Sequence, residues 1–377
     1  MKLALKLDTV RPVILFQHLK NNTGPLPKNI FNLLINQFDM KGVLLVNLGS
    51  PDSPSPKDVK KYLGEFLMDE RVIDVPLWAR TLLVKGIILN TRPKISAKAY
   101  QKIWWEEGSP LIVLSERLET KLKQEVNLPT ALAMRYGSMT MKKGFQKLVD
   151  QGVDEVLIVP LYPQFAMATT ETILVLAKEL RDEHFPQLKL SDLPPFYNNP
   201  DYIKVLSNTI KDSLKGKTYE HLLFSYHGIP ERHIRKSDIT KSHCKIDKSC
   251  CVTPSEAHAY CYKHQCLEVT RLVGEALGLE DAVYSTSFQS RLGFDPWLQP
   301  YTDRTIERLG KEGTKSMAIA TPAFVSDCLE TLEEIAMEGE EIFHEVGGKD
   351  FTTIPCLNDD PAWVSLLAKW VTEWDSK

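Results

Sequence analysis

Short apolar runs, each cut off by a turn or a polar side chain and separated by stretches with helical spacing, constrain this chain most. Runs over 42–48, 131–136 and 155–161 end at Gly49-Ser50-Pro51, at Gly137 and at Tyr162-Pro163. Between and after them come helical patterns: Val59, Leu63, Phe66 and Leu67, then 95–105, 142–151 and 170–181. Alternating strands and helices predict a parallel sheet with right-handed crossovers. Pro194-Pro195 and Asn198-Asn199-Pro200 interrupt the rhythm, which makes this the natural boundary between domains. It then resumes, with strands expected over 222–226, 282–288, 317–321 and 351–354. Helices are expected over 203–214, 268–278, 303–309, 327–338 and 362–374. The reading is an α/β chain of two similar doubly wound, Rossmann-like lobes with parallel sheets. The lobes span 40–198 and 199–356, and a terminal helical segment, 357–377, packs on the first. Residues 1–39 lack the pattern and are expected to be a poorly ordered extension, the fold beginning at Met40.

Ligands of such sheets lie beyond the carboxyl ends of the strands. His227 falls there, where the run 222–226 stops at His227-Gly228, as do Tyr162 and Thr321-Pro322. After Pro322, Asp327, Glu330 and Glu334 recur at i, i+3 and i+7, which on an α-helix lines three carboxylates along one face. A histidine facing carboxylates suits the handling of a hard cation coupled to proton removal. By contrast, Glu333, Glu338, Glu340 and Glu341 read as a solvated face. A net charge of −3 gives no general pull toward nucleic acid, and no apolar run is long enough to span a bilayer. Absence of a Gly-x-Ser-x-Gly elbow, a Walker loop or a Gly-x-Gly-x-x-Gly turn argues against hydrolase, P-loop and dinucleotide readings. The greasy stretch 75–89 reads either as a core helix or as an exposed lip that takes up an apolar substrate or touches a membrane surface.

These motifs, in this order, resemble the ferrochelatases, which insert ferrous iron into a porphyrin. The resemblance rests on Val46-Asn-Leu-Gly-Ser-Pro51, Tyr62-Leu-Gly-Glu-Phe-Leu67, Gly108-Ser-Pro110 and Pro160-Leu-Tyr-Pro-Gln164. Its most specific parts are Ser225-Tyr-His-Gly-Ile-Pro230, Phe288-Gln-Ser-Arg-Leu-Gly293 with Pro296-Trp-Leu298, and the run from Ser326 to Glu334. It implies a cleft between the lobes, Fe2+ and protoporphyrin IX as substrates, and protohaem and two protons as products. Coproporphyrin III as the substrate, or a bilobed protein that binds haem or metal without catalysis, are the alternatives. By the same resemblance His227 and Glu330 are the catalytic pair that meets the iron, with Glu334 relaying protons. Ser50, Arg135, Tyr136, Tyr162 and Trp297 border the macrocycle. Arg135 could equally serve a structural ion pair, and Arg92 and Lys94 are either propionate partners or solvated. Cys328 stands where some relatives carry histidine. The implied location is cytoplasmic, peripheral to the inner membrane through 75–89; the oligomeric state is open.

Five of the seven cysteines crowd into the insert 239–267, as Cys244, Cys250, Cys251, Cys261 and Cys266. A local cluster of this kind reads as a metal site rather than as a disulfide framework. Four thiolates suffice for a [2Fe-2S] cluster, which the resemblance makes the first choice, since some microbial relatives carry one in an internal segment. Structural zinc, with His243, His258 or His264 replacing a thiolate, and free thiols are the other readings.

Overall fold

The run 42–48 forms β1 (Lys41–Asn47), buried along its length after Lys41, as the middle of a two-faced parallel sheet requires. In this computed structural model, which describes residues 40–291, 293 and 295–377, β1 lies between β2 (Thr130–Met134) and β3 (Glu155–Pro160), with β4 (Lys189–Asp192) outermost beside β3. The expectation for 1–39 falls outside the described residues. The second sheet repeats the plan: β5 (His221–His227) lies between β6 (Tyr284–Gln289) and β7 (Ser316–Ala320), with β8 (Asp350–Thr353) outermost. All pairings are parallel. The α/β reading with two matching sheets therefore holds.

One apolar core runs through both sheets. Val43, Leu45, Leu157 and Val159 share it with Leu222, Phe224 and Tyr226 and with Trp363 and Leu367 of the C-terminal helix Pro361–Asp375. Each such side chain stabilises the fold by roughly 1.5–3 kcal/mol. The C-terminal helix packs on helices Pro110–Glu125 and Pro200–Ser213, with Lys121 on Asp359 and Lys369 on Asp201. Polar ties also join the halves. Gln164 donates to the Pro322 carbonyl at 3.1 Å, and buried Asp74 holds Arg232, Lys236 and His233 of helix Glu231–Ser237.

The stretch 75–89 is part core and part exposed. It forms helix Leu77–Thr81 and a π-turn, Leu82–Ile88, running on into helix Leu89–Ile103. Val84 and Ile88 are buried, while Leu77, Trp78, Leu82, Ile87 and, further on, Ile95 are exposed. Arg80 does not break the apolar face, because it is buried and donates to the carbonyls of Ile73 and Val75. Among the described residues, no helix is long and apolar enough to cross a membrane.

Candidate active site

β5 delivers His227 half-buried to the carboxyl edge of the second sheet. Its Nδ1 lies 2.6 Å from the Gly228 carbonyl. A carbonyl only accepts, so Nδ1 carries a proton, and in the neutral ring Nε2 then carries the lone pair. The turn is tight: a Cβ on residue 228 would meet the Gln289 and Ser290 carbonyl oxygens at 2.9 Å each, so only glycine fits. Phe324 stands edge-on to the imidazole, and half-buried Trp297 pairs with Pro230 and lies 3.4 Å from where a Cβ on residue 228 would stand.

The helix expected from Asp327 instead begins at Glu330 and is a π-helix to Gly339, an uncommon form often found at functional sites. Asp327 lies before it and leaves the carboxylate line. Its side chain accepts from Thr331 and Asn358 at 2.8 and 2.7 Å and fastens the start of the helix to the segment after β8. Glu330 and Glu334, four apart, become neighbours on the wider turn. Glu334 accepts from the Ser290 N–H at 2.8 Å and from the Ser290 hydroxyl. Ser290 is left-handed (φ 56°), a strained form for a non-glycine residue that aims both donors at one carboxylate. Burial pushes the Glu334 carboxyl above its ordinary range; the Ser290 hydrogen bonds and nearby His227 oppose this, and Glu330 adds to it. Glu333 was expected on a solvated face but is buried and paired with Lys102 at 2.6 Å, whereas Glu338, Glu340 and Glu341 are exposed.

Three tyrosines of the first half feel the charge of Glu330: Tyr62 on helix Pro56–Leu67, Tyr100 on helix Leu89–Ile103, and Tyr162 just beyond β3. Burial raises all three phenols well above their ordinary value, so they are neutral donors. Tyr62 donates to the Gly49 carbonyl at 3.0 Å, Tyr162 to Asn47 Oδ1 at 2.5 Å, and buried Ser50 lies beside Tyr100. Cys328 is buried against Glu330, which together with desolvation keeps it a thiol. Arg135 is engaged in an ion pair with Asp69 at 2.5 Å and donates to Thr172 at 2.8 Å. Tyr136 donates to the same Asp69 carboxylate at 2.9 Å. Arg92 and Lys94 are exposed. Sequence reading alone missed Tyr62, Tyr100, Gln289 and Ser290; all but Tyr100 fall inside quoted motifs, with nothing local to give them a role.

The cysteines divide. Cys244, Cys250 and Cys261 line one small cavity with Asp238, His243 and His258. Cys251 shares a hydrogen bond with Cys261 that draws the Cys261 thiol down to about 7. The Cys250 and Cys251 thiols also lie 3.2 and 3.7 Å from the Asp247 carbonyl. His243 and His258 both donate to the Cys250 carbonyl, at 2.8 and 2.9 Å, and His264 to that of Cys251 at 2.7 Å. Cys266 is fully buried in the main core, beside Tyr262. No group of three or more His, Cys, Asp or Glu side chains among the described residues is closed around a point that could hold a metal ion.

Residues 40–374 match the family model named Ferrochelatase. The chain is 48% identical over 328 residues to the ferrochelatase of Pseudomonas fluorescens (strain Pf0-1), covering 86% of this chain and 96% of that one. It is 46% identical over 337 residues to that of Opitutus terrae, covering 89% and 97%. In fold it resembles SirB from Bacillus subtilis with Fe3+, at a TM-score of 0.50 and 15% identity over 89% of this chain and 95% of that one. Model and relatives agree across nearly all of the fold, and the chain belongs to the ferrochelatase family.

Proposed function

We propose that the chain inserts Fe2+ into protoporphyrin IX, and that His227 is the base that starts the reaction. The observation that carries this is the Nδ1–H bond to the Gly228 carbonyl, which leaves Nε2 of the neutral ring as an acceptor, on a histidine whose charge Glu334 feels together with that of Glu330. Metallation breaks two pyrrole N–H bonds, forms the iron–nitrogen bonds and changes no oxidation state. Both protons leave through Nε2 in turn: the first forms an imidazolium that the Glu334 carboxylate stabilises, and its transfer to Glu334 frees Nε2 for the second. Glu334, whose raised affinity for protons comes chiefly from burial, takes protons on toward exposed Glu338. Glu330 meets the incoming iron, as a hard oxygen donor suited to a partly dehydrated divalent cation, while His227 is kept for the protons. Neutral Tyr62, Tyr100 and Tyr162, with Ser50, wall the opposite side and leave the metal's charge to Glu330. Trp297 offers an aromatic face to the macrocycle, and Arg135 and Tyr136 hold the wall in shape through Asp69. The test is metallation of protoporphyrin IX and coproporphyrin III with Fe2+ under anaerobic conditions, followed by the loss of free-porphyrin fluorescence. A higher kcat/KM for coproporphyrin III would reverse the substrate assignment.

Two further readings belong to the same proposal. The exposed apolar face at Leu77, Trp78, Leu82 and Ile87 lets the macrocycle pass to and from a bilayer surface at the cytoplasmic side. The insert takes a [2Fe-2S] cluster on Cys244, Cys250, Cys251 and Cys261. The cavity shared by Cys244, Cys250 and Cys261 and the hydrogen bond that joins Cys251 to Cys261 support that donor set, since thiolates are the ligands. His243, His258 and His264 each hold a backbone carbonyl of the cysteine pair, which fits a role in ordering the thiols better than zinc ligation. Such a cluster supplies a redox-active, strongly coloured centre. Anaerobically prepared protein is then expected to contain iron and sulfide in equal amounts and to lose visible absorbance on reduction; zinc, or no metal, overturns the assignment.

A further inference from the structure

The peptide between His227 and Gly228 is held at both ends. Its N–H donates to the Gln289 carbonyl at 2.6 Å, and its carbonyl, on His227, accepts the Tyr262 hydroxyl at 2.9 Å. The next carbonyl, that of Gly228, is the one that receives Nδ1 of the imidazole. Strand pairing ends here, with His227 opposite Gln289 on one side and Phe224 opposite Ala320 on the other. Glycine puts up little resistance to rotation of such a turn. One of its two anchors is thus the neighbouring strand and the other is a side chain.

That side chain is itself fixed. Tyr262 is buried, opens helix Tyr262–Leu277 directly after Cys261, and has its hydroxyl beside the Cys266 thiol one turn on. On the same helix, wholly buried Gln265 accepts the Phe165 N–H at 2.7 Å and donates to the carbonyls of His258 and Ala259 at 3.0 and 2.9 Å. One helical turn therefore touches the sulfur-rich insert, the edge of the first sheet and the histidine's backbone.

We infer that Tyr262 is a positioning residue for the His227 imidazole. Its hydroxyl fixes the 227–228 peptide, the plane from which Gly228 presents the following carbonyl to Nδ1–H, and it makes the helix leaving the insert a mechanical support of the reacting ring. The inference rests on His227 acting as the proton acceptor.

The test is Tyr262→Phe in the full chain, which keeps the ring and its packing and removes one hydroxyl. Expected are an about tenfold fall in kcat, the scale of one lost buried hydrogen bond, and a porphyrin KM within about twofold of wild type. In a His227→Ala background the same change costs nothing further, because coupled residues are not additive. Ring-15N NMR of His227 shows the Nδ1–H tautomer in wild type and a mixture in the variant. Unchanged kcat in Tyr262→Phe, or an equal loss in both backgrounds, overturns the positioning role while leaving a slow His227→Ala, and hence the base assignment, intact. Full metallation by His227→Ala overturns the base assignment and this inference with it. Should the variant not fold, the wild-type spectrum still decides, and an Nε2–H signature overturns the inference.

Discussion

The two sheets share one strand order and treat the polar groups at their carboxyl edges in opposite ways. On the first, Asp69 binds Arg135, Tyr136 and Thr172, and Tyr162 is fastened to Asn47. Burial raises the Asp69 carboxyl, but Thr172, the Arg71 N–H and the Arg135 charge outweigh it and hold the group below its ordinary range. On the second edge Glu334 ends above its ordinary range, because its hydrogen bonds from Ser290 do not offset desolvation and the nearby Glu330. A satisfied buried network is rigid and specifies one structure. A carboxyl displaced upward from that balance holds a proton more readily, which suits it to exchange one with a neighbouring base. The same topology thus gives a wall on one side and a reactive face on the other.

If that contrast is right, substitutions on the two edges fail differently. The largest effect is expected from His227→Ala. Metallation should fall by on the order of 10³-fold, within the range for loss of a positioned base, while porphyrin affinity measured by Soret titration changes less than about threefold. The mirror experiment is Asp69→Asn, which leaves the Arg135 charge in place without its partner. About 3 kcal/mol of stability should go, a drop of about 6 °C in Tm, with kcat within about twofold of wild type. The deficit has a pH signature. A depressed carboxyl contributes stability that is complete above its ordinary value of 3.8 and lost as pH falls through the folded value, so the gap from wild type should close in acid. A kcat collapse in Asp69→Asn with Tm unchanged would place chemistry on the wrong edge.

Legibility followed burial and locality. Central strands such as β1 and β5 announce themselves, because a strand buried on both faces must be written as an apolar run, and His227 stands out where such a run stops. Edge strand β4 has one unbroken neighbour and reads Lys-Leu-Ser-Asp, so no run marks it. Helix Pro110–Glu125 was hidden because Gly108-Ser109-Pro110 reads as a stop. Ser109 and Pro110 are in fact its N-cap and first residue, an equally regular start signal. Glu330 and Glu334 were visible, but their spacing was taken as α-helical, which wrongly added Asp327 to the line. The burial of Glu333 depends on Lys102, 231 residues away, and the role of Ser290 depends on a helix 44 residues later. Neither has a local signature.

The smallest predicted effect is the most diagnostic, because it runs in two directions at once. Glu334→Gln keeps the shape of the side chain and one acceptor for Ser290 but removes the charge. Activity should fall about tenfold, as for the loss of one proton-relay group. Stability should move the other way. For a carboxyl whose folded pKa is raised, the native state binds the proton more tightly than the unfolded chain does. Its stabilising contribution is therefore complete below the ordinary value of 4.5 and is lost as pH rises through the folded value. The amide cannot ionise, so it escapes that loss. The variant's Tm relative to wild type should improve as pH rises from about 4.5 to 8, by about 2 °C for each 1 kcal/mol recovered. Slower chemistry in a more stable protein is what an active site held away from its electrostatic optimum produces. An equal Tm difference at every pH would mean that Glu334 titrates no differently in the fold than in the open chain, and the second edge would then be as fully balanced as the first.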